Sequence, residues 1–279
     1  GGSSECWVPS LCVWLMIMCP CSLYFFWVFP RLVQHGALAL PGATLAVFLV
    51  TVGLLLATCC TDPGIIPRRD VILATGTAAK LQEALGYDLL GLGSADAAVV
   101  PPKLYGQGYR WCRTCRIIRP PRASHCSDCD NCVLRFDHHC PFVNNCVGQR
   151  NYAFFLGFIT SVVFLTMLVI PAIFAFYSSL NVERSVSGIV RVSSAMRFAW
   201  YLVIAGFGAV ILAALLSLVL SGYHLFLVLT NRTTKEFRRN IPNVTEEPTL
   251  CAPRGPRLFD PWVCVDPRKL RSRSRQRSI

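Results

Sequence analysis

Four stretches of this 279-residue chain hold no Asp, Glu, Lys or Arg: Cys6 to Phe29, Ala37 to Cys60, Ala153 to Leu180 and Phe198 to Thr230. Each is 24 residues or longer, and about 20 apolar helical residues suffice to cross the hydrocarbon core of a bilayer. A core helix of a soluble domain would show a polar stripe, which these stretches lack. The expected fold class is an all-α polytopic membrane protein with four transmembrane helices. A soluble domain, a disulfide-rich secreted module and a disordered chain are excluded. A cleaved signal peptide over the first stretch is the competing reading. That stretch is too long for one, lacks a basic start and has no small-residue cleavage region before the next span. The chain opens Gly1-Gly2-Ser3-Ser4 without Met, so an incomplete N-terminus is expected. The fourth stretch, at 33 residues, would be roughly 50 Å long against a core of about 30 Å, so it should tilt or project. His224 near its end reads as a packed or interfacial side chain.

The 27 Lys and Arg are unevenly shared: 1 lies between the first two spans, 11 between the second and third, 3 between the third and fourth, and 12 after the fourth. By the positive-inside rule the central loop and both termini face the cytosol. The net charge of +12 could suggest nucleic acid. A basic tail such as Arg268 to Arg275 beside a bilayer more simply attracts anionic lipid, so lipid is the expected partner and nucleic acid is not. The domains expected are 1–60, transmembrane helices 1 and 2; 61–109, a cytosolic connector opening on the Asp62-Pro63-Gly64 turn; 110–152, a cysteine-rich module; 153–230, helices 3 and 4; and 231–279, a basic tail. Within the connector, Gln82 to Val100 reads as flexible from Gly86, Gly91, Gly93 and its many Ala. The sequons at Asn231 and Asn243 should stay bare on the cytosolic side. Cys6, Cys12, Cys19, Cys21, Cys59 and Cys60 read most simply as small packing residues, while Cys59, Cys60, Cys251 and Cys264 lie near an interface, where acylation is the alternative.

Seven of the 15 Cys and three of the five His fall between residues 112 and 146. Their order is Cys112, Cys115, His125, Cys126, Cys129, Cys132, His138, His139, Cys140, Cys146. A cytosolic loop is kept reduced, so CxxC and His at these intervals point to structural zinc rather than disulfides. Two closed sites need eight ligands from the ten residues available. Two Cys3His sites would leave one Cys and one His unused, which suits nucleophilic chemistry because an imidazole can take a thiol proton. Such a pair meets a carboxylate at one place, Asp137-His138-His139-Cys140. The count does not say which of the two adjacent histidines stays off the metal.

The run Cys112 to Tyr152, with Arg119-Pro120-Pro121-Arg122-Ala123-Ser124-His125-Cys126 and Asp137-His138-His139-Cys140-Pro141, resembles the DHHC family of protein S-acyltransferases, or palmitoyltransferases. Asp62-Pro63-Gly64, Asn144-Asn145-Cys146-Val147-Gly148 and Thr233-Thr234-Lys235-Glu236, similar to the family's TTxE element, extend the likeness. The wording around Arg119 to Cys132 is similar to the Ras palmitoyltransferase subgroup. The resemblance implies two structural zinc ions, one on Cys112, Cys115, His125 and Cys132, the other on Cys126, Cys129, His139 and Cys146. It leaves Cys140 as nucleophile, His138 as its base and Asp137 as the group that orients the base. It also implies acyl-CoA, palmitoyl-CoA in particular, as donor and cysteines of membrane-associated proteins as acceptors. The setting would be the Golgi, endoplasmic reticulum or plasma membrane, with room for an accessory subunit. Arg119 and Arg122 are expected to contact CoA phosphates through forked bonds, with a solvated or lipid-facing basic surface as the alternative. Phe142 stands where the family usually has Trp. From spacing alone, Thr233, Thr234 and Glu236 read as a helix end; the resemblance implies a supporting role instead, in which a Thr hydroxyl bonds backbone near the active loop. The alternative function is a membrane-anchored zinc-finger interaction module without acyl transfer, which would have no use for a surplus thiol beside Asp137 and His138.

Overall fold

The computed structural model describes residues 8–36, 38–91, 100–187 and 194–241. The Asn243 sequon, Cys251, Cys264 and the basic tail lie outside them. The described chain forms two compact units.

The first unit holds most of four helices long and apolar enough to cross a membrane, over Val8–Gln34, Ala39–Cys60, Tyr152–Phe176 and Val210–Leu229. The chain is a multi-pass membrane protein. The first of these is α1 (Val8–Leu23), continued through a π-helical turn (Tyr24–Val28) into α2 (Phe29–Gln34). The wider turn, in which Phe29 N–H donates to Tyr24 O, lies just ahead of Pro30. Proline has no N–H to give its fourth predecessor and its ring would strike that carbonyl, so the backbone loosens there and the helix runs on past Arg31. In α3 (Ala39–Cys60) the buried Thr44 and Thr51 hydroxyls donate to Leu40 O and Val47 O, both at 2.8 Å. This satisfies polar groups where no water reaches. The third helix, α7 (Tyr152–Ser187), buries Phe158, Val162, Leu165, Val169, Ala172 and Phe176, spaced three and four apart on one face. The fourth, α8 (Ser194–Leu229), has 36 residues, ending one short of the charge-free limit at Thr230. His224 is buried on it, edge-on to Tyr223.

The second unit begins at Ala57. Asp62 Oδ1 accepts from Gly64 N (2.9 Å) and Ile65 N (2.8 Å), a side-chain turn that stops α3. Arg150 pairs with Asp62 Oδ2, and its backbone N–H donates to Pro63 O. Gly148 fills the remaining gap, since a Cβ there would stand 2.6 Å from both Pro63 O and Val133 Cγ1. Gly148→Ala is therefore expected to cost about 1–3 kcal/mol or more by overpacking, read as a lowered midpoint of thermal unfolding.

After β1 (Ile65–Ile66) come α4 (Arg69–Thr75), α5 (Ala78–Leu85) and α6 (Pro102–Gly106). The flexible-connector expectation for Gln82 to Val100 needs correction. Gln82 to Leu85 finish α5, Tyr87 and Leu89 are buried in the core, and Tyr87 Oη donates to Ile118 O at 2.8 Å. Gly86, like Gly76, is the left-handed C-cap of a helix, with φ +75° and +64°. These glycines end helices, where a residue without Cβ pays least for that conformation. Residues 92–99 of that stretch lie outside the described ones.

Six short strands complete the cysteine-rich part: β2 (Arg110–Cys112) with β3 (Ile117–Arg119), β4 (Ser124–Cys126) with β5 (Asn131–Val133), and β6 (His138–Cys140) with β7 (Asn145–Val147). All three pairs are antiparallel, and β1 adds to the free edge of β5. Each hairpin has three-residue strands joined by a four-residue turn whose last residue is left-handed: Arg116 (φ +53°), Asp130 (+52°) and Asn144 (+49°). The first Cys of each turn recurs at a spacing of 14 residues, Cys112, Cys126, Cys140. A short helix, α9 (Thr234–Arg238), follows α8.

Candidate metal centres and active site

A strand points successive side chains to opposite faces, and antiparallel partners share a face. In β4 and β5, His125 faces with Cys132, while Cys126 points the other way. In β6 and β7, His139 faces with Cys146, while His138 and Cys140 share the opposite face. The consequence is two separate gatherings of donor atoms. Cys112, Cys115, His125 and Cys132 form one and Cys126, Cys129, His139 and Cys146 the other, with the donor atoms in each within 4.8 Å of one another.

These groups fit a divalent ion. A tetrahedron with bonds of about 2.3 Å to sulfur has edges of about 3.8 Å. The separations Cys115 Sγ to His125 Nδ1 (3.3 Å), Cys129 Sγ to His139 Nδ1 (3.4 Å) and Cys146 Sγ to Cys129 Sγ (3.4 Å) are of that order. Thiols packed so closely cannot share one protonation state without a cation. Cys112 is held far below the usual thiol range by the hydrogen bonds of Cys115 and Cys132, whereas those of Cys112 and Cys115 push Cys132 far above it. Asp130 lies 3.6 Å from His125 Nε2 and is itself held by Arg68 at 2.7 Å. This is the outer support that usually fixes a ligating imidazole.

The 14-residue spacing shows how the groups interlock. The turn cysteines of the first hairpin, Cys112 and Cys115, join His125 and Cys132 of the second. Those of the second, Cys126 and Cys129, join His139 and Cys146 of the third. In the third turn Cys140 has the place of Cys112 and Cys126, but Val143 stands where Cys115 and Cys129 would be. His139 follows His125 by 14 residues. That register separates the two adjacent histidines from sequence alone, a signal the ligand count does not use.

Asp137 is 1% exposed. Its Oδ2 lies 2.6 Å from His138 Nδ1, which leaves Nε2 for another partner. Burial favours the neutral imidazole, yet the hydrogen bonds of Asp137 and Cys140 outweigh it and push His138 up to about 9. Burial likewise raises the Cys140 thiol, but its hydrogen bond and charge interaction with His138 bring it below the usual value. The two shifts describe an imidazolium beside a thiolate. The Phe155 ring stands edge-on to His138 at 5.5 Å, and Phe142, next but one to the sulfur, is 53% exposed. Asn145, across from Cys140, ties this hairpin to the end of α3, its Nδ2 donating to Thr58 O, Cys59 O and Thr61 O at 3.0–3.2 Å.

Thr233, Thr234 and Glu236 begin α9. Thr233 caps it, accepting from Glu236 N at 3.2 Å, while Glu236 Oε2 accepts from Thr233 N at 2.8 Å. Thr234 donates its N–H (2.8 Å) and its hydroxyl (2.7 Å) to Asp137. Spacing marked a helix end; the bond to Asp137 spans 97 residues and has no local signal. Arg122, expected to contact phosphate, is engaged within the chain. Its guanidinium is 5% exposed and forks onto Glu236. Arg119 is partly exposed and near Lys235.

Comparison with known proteins identifies the family. Residues 106–241 match the family model described as DHHC palmitoyltransferase. The chain is 36% identical over 239 residues to Palmitoyltransferase ZDHHC18 of Rattus norvegicus, covering 80% of this chain and 55% of that protein. It is 38% identical over 230 residues to Palmitoyltransferase ZDHHC9 of Danio rerio (79% and 56%), and 33% identical over 239 residues to Palmitoyltransferase ERF2 of Kluyveromyces lactis (84% and 61%). The chain thus spans little more than half the length of these curated relatives. Through residues 106–241 this chain belongs to the DHHC palmitoyltransferase family.

Proposed function

We propose that this chain is a protein S-acyltransferase that moves a long-chain fatty acyl group from acyl-CoA, through an acyl thioester on Cys140, to cysteines of membrane-associated proteins. The observation that carries the reading is Cys140 on one strand face with His138, whose Nδ1 lies 2.6 Å from Asp137. Neither Cys140 nor His138 belongs to the two donor groups. The names of the relatives support it.

In the first step the Cys140 thiolate attacks the donor carbonyl, a carbon–sulfur bond forms to Cys140, and the bond to the CoA sulfur breaks. The proton on His138 passes to the departing CoA thiolate. In the second step an acceptor thiol gives its proton to His138 and takes the acyl group, and Cys140 leaves as thiolate. Asp137 fixes the ring orientation and favours its charged form throughout. One thioester replaces another, so the gain comes from placement and from a thiolate already formed. The eight Cys and His donors would hold two zinc ions, whose contribution is to brace the hairpins.

The 11 basic residues of the central loop and the 12 after the fourth span support a cytosolic module, on the side where CoA is found. Its donor phosphates would meet Arg119 and Lys235. Burial, with the charges of Arg239 and Arg119, brings Lys235 down to about 8, and an anion would relieve that crowding. Arg119→Gln is expected to raise the Michaelis constant for acyl-CoA several-fold with little change in turnover; an unchanged constant removes Arg119 from the donor site.

The deciding experiment incubates purified protein with labelled acyl-CoA and seeks a hydroxylamine-sensitive adduct on Cys140. Two bound zinc ions with no adduct would leave the zinc-finger interaction module as the function.

A further inference from the structure

Arg122 is one of the basic residues of the cysteine-rich module. It sits in the link between the first two hairpins, in the left-handed region at φ +64°, and its guanidinium reaches the segment that follows α8. Nε donates to Glu236 Oε1 at 2.7 Å and Nη2 to Glu236 Oε2 at 2.8 Å. Nη2 also donates to Asn231 O at 3.0 Å, and Nη1 to Asn231 Oδ1 at 3.2 Å. The two charged side chains are 5% and 9% exposed. The carboxylate so gripped also closes the capping box of α9. Two residues before Glu236, Thr234 gives both of its donors to the buried Asp137.

α9 has five residues, too few to be stable by its own hydrogen bonds, so its position must be imposed. We propose that Arg122 is a positioning residue for the Asp137–His138–Cys140 site, docking α9 through Glu236 so that Thr234 meets Asp137. A guanidinium suits this task because its planar fork fixes both distance and angle of a carboxylate, which a lysine ammonium cannot do. Without the grip, Asp137 would lose two of the donors that hold its charge in a buried place, and the imidazole it orients would lose its fixed direction. The kinetic consequence rests on the acyl-transfer reading above.

The test uses the full chain in lipid nanodiscs, with Arg122→Gln, Arg122→Lys, Glu236→Gln and the Arg122→Gln/Glu236→Gln double variant. For each, turnover and the Michaelis constant for acyl-CoA, zinc per chain, and the rate of Cys140 alkylation by iodoacetamide are measured. Arg122→Gln should lower turnover on the order of 10- to 100-fold, the scale of a misplacement of about 1 Å. Its Michaelis constant should stay within about twofold, its zinc should be retained and its alkylation should slow. Glu236→Gln should behave alike, the double variant should be no worse than the worse single one, and Arg122→Lys should fall between wild type and Arg122→Gln. A raised Michaelis constant at unchanged turnover would return Arg122 to the donor site, and losses that multiply in the double variant would show that it does not act through Glu236. Either result overturns the proposal. Should Arg122→Gln lose zinc, Glu236→Gln decides, since it leaves the module's own side chains intact: normal turnover in that variant overturns the proposal and reduced turnover with zinc retained supports it. Should wild type form no adduct at all, the acyl-transfer reading fails separately. Alkylation then decides, slowed by Glu236→Gln if Arg122 positions Cys140 and unchanged if it does not.

Discussion

Cys140→Ser should bind two zinc ions per chain and form no acyl adduct. Cys140 lies outside both donor groups, so no ion loses a ligand, and the hydroxyl that replaces the thiol is barely ionised at neutral pH. Buried as it is, the position accepts an oxygen for a sulfur with little change in shape, so the unfolding midpoint should stay near that of wild type. Cys126→Ser or Cys146→Ser removes a donor from the second group. Binding at a structural Cys and His site is worth about 10–16 kcal/mol in small zinc domains and is itself folding free energy. These variants should hold fewer than two zinc ions and unfold earlier. Elemental analysis and acyl labelling on the same preparations separate the cases. Loss of zinc by Cys140→Ser to the extent shown by Cys126→Ser would make Cys140 a ligand and leave the enzyme reading without its nucleophile.

His138→Ala should slow self-acylation by roughly 10²- to 10⁴-fold while both zinc ions remain. The pH dependence gives the sharper measure. In the intact site His138 is pushed up to about 9 while Cys140 is held below its usual value. The thiolate–imidazolium pair therefore persists through neutral pH, and its proton is lost as pH rises through about 9. Alkylation of Cys140 by iodoacetamide should accordingly be fast well below the ordinary thiol range. With the imidazole gone, burial alone acts on the thiol, and the midpoint of the alkylation curve should move upward. A midpoint that does not move, or zinc lost along with activity, would mean that the roles of the adjacent histidines have been exchanged.

The spans are legible because charge is nearly prohibitive in hydrocarbon, so its absence over Ala37 to Cys60 leaves few alternatives. The length of the first helix is less so, since it passes Arg31 and ends at Gln34 after the turn that accommodates Pro30. In the cysteine-rich part, composition counts donors but not faces. Only the strand alternation of His138, His139 and Cys140, or the step from His125 to His139, distinguishes a metal donor from its neighbour. Gly76 and Gly86 look alike in sequence whether they loosen a linker or cap a helix; buried Leu81 and Leu89 decide for the cap. The pairing of Arg122 with Glu236 crosses 114 residues, and a charged residue carries no mark of so distant a partner. An Arg near a cysteine cluster reads equally well as a phosphate contact or as one half of such a pair.

The staggered hairpins form an array with a direction. An ion in each donor group would couple one unit to the next, so every unit but the last hands its leading sulfur forward. A fourth unit, with its own His and Cys on facing strands and a Cys in place of Val143, would consume Cys140 as the first two leading sulfurs are consumed. Ending the array after three units leaves the Cys140 sulfur, carried by the same kind of turn as Cys112 and Cys126, outside both donor groups. On the acyl-transfer reading, Cys140 would need no dedicated scaffold: it is the unclaimed terminus of a structural series, and the length of the series, more than any single substitution within it, would separate an inert metal module from a reactive one.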